Sequence, residues 1–247
     1  MAVAVVPTFA QAQSAPTSNW NFAAGAGVAT YPRFPGSKES RILPVPILTA
    51  TYKDFFFADT VRGIGVQDEV LSGLTLSAAI GMSVDERRAK DSARLDDLKS
   101  ISVAPDVLLG AHYAYERAFI DLGLSERVGR QERKGGLLSV DLGLDLVSNA
   151  GLNLAAGVTA HAMDKNYAHN FFGIDAAQSA ASGLPTFAAK AGLKDAGLFV
   201  QGQYQINSNW SLSSRIAAVK LEGDAGRSPI TERRLQPSVY LAATRSF

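Results

Sequence analysis

Apolar and polar residues alternate along most of this chain with a period of two. The cleanest run is Leu138, Val140, Leu142, Leu144 and Leu146, interleaved with Ser139, Asp141, Gly143 and Asp145. After Ser148-Asn149-Ala150 the pattern restarts. Leu152, Leu154, Ala156, Val158, Ala160 and Ala162 then alternate with Asn153, Ala155, Gly157, Thr159 and His161. Such a period marks a strand with one apolar and one polar face. Strands of roughly ten residues, joined alternately by tight turns and long loops, are what a transmembrane β-barrel requires. The apolar face then meets lipid and the polar face lines the interior.

The same alternation predicts strands elsewhere. Residues 20–30 carry Trp20, Phe22, Ala24, Ala26 and Val28 on one face. A strand over 42–52 contains Pro44 and Pro46, which remove ladder donors and leave its facing ambiguous. Phe55-Phe56-Phe57 opens a short strand as an interfacial aromatic cluster, and 63–67 forms another. Leu74, Leu76, Ala78, Ile80 and Met82 make a lipid face. The strand over 101–115 points Val107, Leu109 and Tyr113 outward, with Asp106 and His112 inward. Its return over 118–127 puts Asp121 and Arg127 inward. The last three strands begin near Leu198, Trp210 and Leu235, with Gln201, Gln203, Gln205 and Arg215 inside.

Loop lengths fix the strand count. The tight turns 116–117, 148–150 and 207–209 all fall on one side, and the long segments 85–99, 129–136, 164–197 and 222–232 on the other. With both termini on the periplasmic side, parity requires two short strands within 55–67. The expectation is an all-β, closed antiparallel transmembrane barrel of about twelve strands, with ten as the alternative. Residues 13–247 form its single domain.

Composition agrees. No run of about 18 apolar residues appears, so no transmembrane helix is expected. The chain has 24 Lys+Arg against 23 Asp+Glu, a balance that points away from nucleic-acid binding. It has no cysteine, which removes disulfides, thiolate metal sites and thiol nucleophiles. Residues 1–12 are small and apolar and end Ala10-Gln11-Ala12, an A-x-A cleavage pattern. They read as the remnant of a signal peptide whose basic start is missing. Export, amphipathic strands and no apolar helix together imply the outer membrane of a Gram-negative bacterium.

Two groups of residues stand out as candidates. Asp106, His112, Asp121, Arg127, Asp141, Asp145, His161 and Arg215 share the inward parity and form a candidate lumen network of paired charges. Tyr167, Phe171, Phe172 and Phe187 lie in the long segment 164–197 and could anchor it as a plug. A hydrolase built on His161 and a nearby serine is disfavoured, because no nucleophile-elbow motif is present. His112, His161 and His169 have no ligand spacing, so neither metal nor cofactor is expected. Val239, Leu241, Ala243 and the final Phe247 share one face. A last strand that ends on an aromatic is similar to that of other outer-membrane proteins, and this resemblance implies Phe247 as an assembly signal, with the barrel-assembly machinery and outer-membrane lipid as partners.

Several segments carry a resemblance. They are Tyr31-Pro32 with Phe34-Pro35-Gly36-Ser37, Leu43-Pro44-Val45-Pro46, and Tyr167 with Phe171-Phe172-Gly173-Ile174. Ser182-Gly183-Leu184-Pro185, Gly192-Leu193-Lys194-Asp195, and Gly223-Asp224-Ala225 with Ser228-Pro229-Ile230 complete the ordered set. In these the chain resembles the MltA-interacting protein (MipA/OmpV) family of outer-membrane proteins. The resemblance implies a non-enzymatic barrel acting as a scaffold for a murein transglycosylase and a murein synthase. A narrow channel for small solutes, or a surface adhesin or stress-response protein, is the alternative.

Overall fold

The computed structural model describes residues 19–129 and 134–247; the expected leader, residues 1–12, lies outside the described residues. Twelve antiparallel strands close into a barrel. They are β1 (Trp20–Pro32), β2 (Ser40–Tyr52), β3 (Phe56–Asp59), β4 (Gly63–Leu71), β5 (Leu74–Met82) and β6 (Pro105–Tyr115). The circuit continues with β7 (Ala118–Arg127), β8 (Gly135–Ser148), β9 (Leu152–Met163), β10 (Gly192–Gln205), β11 (Trp210–Leu221) and β12 (Leu235–Ser246). Each strand pairs with its sequence neighbours, and β1 pairs with β12, so the sheet has no first or last strand.

The alternation sets the facing. Leu138, Leu142, Leu144 and Leu146 of β8 are exposed on the outside, while Asp141 is buried within. Val158 of β9 is likewise exposed, and Thr159 and His161 are buried. The exposed outer aromatics Trp20, Phe55, Tyr115, Tyr204, Trp210 and Phe247 all lie at the short-turn end. They form an interfacial girdle of the kind that places a barrel in a bilayer. Phe247 sits in that girdle, with its N–H donating to the Phe22 carbonyl at 3.0 Å.

The structure corrects several strand boundaries. β6 begins at Pro105, because Ile101 turns inward to pair with Arg87 and is buried in the loop core. β4 continues past Gln67 to Leu71. β10 starts at Gly192, six residues before the alternation becomes visible at Leu198. A β-bulge between Leu193 and Asp195 masks the period there. β8 starts at Gly135, inside the segment expected to be a basic loop.

The long loops fold into a cap over one mouth. The segment between β9 and β10 contains α1 (Lys165–Phe172) and α2 (Ala176–Ser182), and that between β11 and β12 contains α3 (Gly223–Arg227). Asp164 caps α1 by accepting the Tyr167 N–H at 2.6 Å. Tyr167, Ala168, Phe171 and Phe172 then fall on one face and are fully buried. They pack with Leu137, Met163 and Leu221 from the strand ends below and with Ala225 of α3. A second cluster joins Phe34, Leu95, Leu98, Ile174 and Ile230 from four different loops, and Phe187 packs against both. Gly135 permits the contact with α1, since a Cβ there would lie 2.7–2.9 Å from Tyr167.

Candidate functional site

The barrel interior is layered. Beneath the cap lies a charged layer, and beneath that an aromatic one. The aromatic layer is Phe119 of β7 and Phe199 of β10, with ring centroids 6.4 Å apart, packed against Ala155 and Ala217. Gly143 and Gly157 occupy the strands between them in the ladder. A Cβ on Gly143 would clash with the Phe119 ring. Gly143→Ala should therefore displace this ring and cost about 1–3 kcal/mol by overpacking, read as a lower midpoint in urea unfolding of the reconstituted barrel.

The charged layer contains the inward residues expected from parity, but it divides into separate groups. Arg215 of β11 reaches across the lumen to Asp141 of β8 at 2.6 Å. It also donates to Gln201 Oε1 at 2.6 Å and stacks on Phe199 at 4.1 Å. His112 Nδ1 pairs with Asp121 Oδ1 at 2.6 Å. His161 Nδ1 pairs with Asp195, whose other oxygen meets Lys194 Nζ at 3.2 Å. Arg127 donates to Ser83 Oγ at 2.7 Å and to the Asp85 carbonyl, and stacks on Phe171 of the cap at 4.9 Å. Asp106 is buried across the ladder from Arg127, with Oδ1 unbonded. Asp145 stands apart near the short-turn end, half-buried, and its carbonyl accepts from Arg117 Nε at 3.0 Å.

Lys194 and Asp195 belong to the charged layer but are not revealed by the period-two pattern. The β10 bulge turns both inward, where each is 2% exposed. The signal for them is the Gly192-Leu193-Lys194-Asp195 segment of the resemblance. Asp85 is likewise hidden in a charged loop. It accepts the Tyr167 hydroxyl at 2.5 Å, and so ties α1 to the loop that follows β5. Burial raises the Tyr167 hydroxyl pKa well above its ordinary value, so the group stays a donor.

Arg87 holds the cap from the other side. It donates to the Phe171 carbonyl at 2.9 Å, and Ser228 Oγ donates to the Phe172 carbonyl at 2.7 Å. These are orphan acceptors at the end of α1, where a cation is also favoured. Burial pushes the Arg87 pKa down to about 10, which leaves it charged at neutral pH. Arg87→Ala should free α1 at a cost of about 1–3 kcal/mol. Limited proteolysis should then cut between 164 and 191 while the heat-modifiable barrel band persists.

Between cap and aromatic layer a cavity of about 100 Å³ remains, lined by Asp121, Asp141, Thr159, His161, Asp195 and Arg215 among others. Ser139, His161 and Asp195 stand in lateral register across β8, β9 and β10. The Ser139 hydroxyl donates to the Gly123 carbonyl at 3.2 Å, however, and not to His161. Among the described residues no three His, Cys, Asp or Glu side chains converge as a metal site.

A family model described as MltA-interacting protein MipA matches residues 24–247. The chain belongs to that family. No curated protein matches it. Among solved structures it is similar to the NanC porin, at 9% identity and a TM-score of 0.44 over 91% of this chain and 98% of that one. It is also similar to a FadL homologue of Pseudomonas aeruginosa, at 9% identity and 0.41 over 93% and 90%. A loop L8 deletion mutant of OmpT from Vibrio cholerae gives 8% and 0.38 over 92% and 98%. Family membership and the lipid-facing outer surface together make this an outer-membrane β-barrel protein. Outer-membrane barrels carry short periplasmic turns and longer extracellular loops, the orientation expected here for the short-turn rim and the capped mouth.

Proposed function

We propose that this protein is a stoppered barrel that anchors a murein-modifying enzyme to the outer membrane and carries out no chemistry itself. The observation that carries this reading is the closed lumen. A cap with a buried apolar core, a charge pair spanning the interior and an aromatic layer stand one above another in the same passage. The family description, MltA-interacting protein, supports a murein enzyme as the partner. The contact surface is the periplasmic rim, where turns such as 53–55, 116–117 and 207–209 present polar and charged groups. Lumen ion pairs are read as rigidifying that rim, and Phe247 as a mark of the last strand during assembly.

A photo-crosslinking residue at Asn149 or Ser208 should trap a murein transglycosylase in growing cells, and one at Ala180 in the cap should not. Adducts from Ala180 alone, or none from the rim turns, would count against the anchor. The charged cavity favours one second reading, a narrow channel for small solutes whose cap moves aside.

A further inference from the structure

The barrel wall is incomplete on one side. β3 pairs only with residues 49–52 of β2, and the turn that follows it, residues 60–62, stands level with Leu48. β2 runs on to Ser40, with β1 as its only ladder partner there among the described residues. At about 3.4 Å per residue and a tilt of roughly 40°, Leu48 lies about 10 Å above Tyr52, and Ile42 a further ~15 Å higher. The turn therefore ends inside an apolar belt about 25 Å tall.

Local chemistry suits a turn and a free edge at that depth, where bare backbone donors are not tolerated. The Thr60 N–H donates to the Leu48 carbonyl at 3.1 Å. The Val61 and Arg62 N–H groups both donate to Asp59 Oδ1, at 2.7 and 2.8 Å. The Leu48 N–H donates to Thr60 Oγ1 at 3.0 Å, so even-numbered residues of β2 direct their peptide groups away from β1. Above the turn that direction is the gap, and the next two such residues are Pro46 and Pro44, which have no N–H. Leu43 shares the inward parity of Ile47, yet it is 44% exposed where Ile47 is 6%.

The gap has a definite frame. Turn 60–62 is its sill and β2 one jamb. The other jamb is 82–86, where Met82 and Val84 are exposed. Arg41 closes the top by bonding to Glu86 and, at 3.1 Å, to Asp91. Below the sill an external furrow of about 480 Å³ continues past Leu48, Thr60 and Ile64 over a floor of Ala24, Ala50 and Ala58.

We propose that this window between β2 and residues 82–86 seats an acyl chain of an outer-leaflet lipid, which enters from the side and runs down the furrow. The prolines deny the edge the donors that a docking strand would need, which disfavours another polypeptide as occupant. Leu43, Val45, Leu48, Met82 and Val84 are apolar at bilayer depth. The Arg41–Glu86 pair lies at the top, and at the sill Asp59 is bonded by the turn's own N–H groups while Arg62 turns onto Gln67 and the Phe57 ring.

The chain has no cysteine, so single cysteine labels report cleanly. Leu43→Cys carries a spin label in the full-length barrel in phospholipid bilayers, with Val45→Cys as a second reporter should the first lower the folded band. Leu48→Cys is the lipid-facing control and Ser213→Cys the lumen control. Collision with oxygen should exceed collision with a water-soluble nickel chelate several-fold at position 43, as at 48. A nickel-dominated label, as at 213, would show a water-filled gap. A label shielded from both reagents would show a protein cover. Either result overturns the proposal.

Discussion

Alanine at Asp141 should destabilise the barrel by roughly 3–5 kcal/mol, because it leaves the largely buried Arg215 guanidinium without its carboxylate. Arg215 keeps Gln201 and the Phe199 ring, but neither carries a compensating charge. Since the pair joins β8 to β11 across the lumen, its loss also unties two walls that share no ladder. The second half of the experiment is the double variant Asp141→Leu/Arg215→Met. Replacing both partners with apolar groups removes the uncompensated charge and should restore most of the loss. Urea unfolding in bilayers, followed by the heat-modifiable band, measures each. A single variant as stable as wild type would mean that the pair is solvated and not a crossbar.

Arginine at Leu142 should cost roughly 2–4 kcal/mol if that position lies near the bilayer midplane. Leu142 is 47% exposed on the outer face, one residue from buried Asp141. Arginine at Ala180, exposed on the cap helix α2, touches no lipid and should cost little. Equal tolerance at the two positions would refute the facing of β8, and with it the inward placement of Asp141. The two predictions are coupled, since a one-residue slip of register would exchange the faces.

Much of this architecture is legible in the chain, for a physical reason. Lipid outside and packed polar groups inside impose opposite demands on successive residues, so β7 to β9 can be read directly from their alternation. Parity then requires β3 and β4, although each is hard to see alone. What escapes notice is where the ladder departs from period two. The bulge at Lys194 turns two adjacent residues inward and hides the start of β10. Ile101 looks like strand but serves the loop core. Pro44 and Pro46 make the facing of β2 ambiguous in sequence, and the structure explains them by the gap they border. The plug anchors Tyr167, Phe171 and Phe172 carry a helical i, i+4 spacing. Their partners Asp85, Arg87 and Ser228 come from distant loops, and no local pattern links them to α1.

The proposed function rests on a lumen that is closed in the folded protein. Single-channel conductance in planar bilayers tests it most directly. Wild-type protein should insert without opening steady conducting steps, whereas a variant lacking residues 165–189 of the cap should still meet the Phe119–Phe199 layer and conduct little. Removing that layer as well, with Phe119→Ala and Phe199→Ala, should produce stable openings. Steady ohmic conductance from the wild-type barrel would contradict the account and favour the channel.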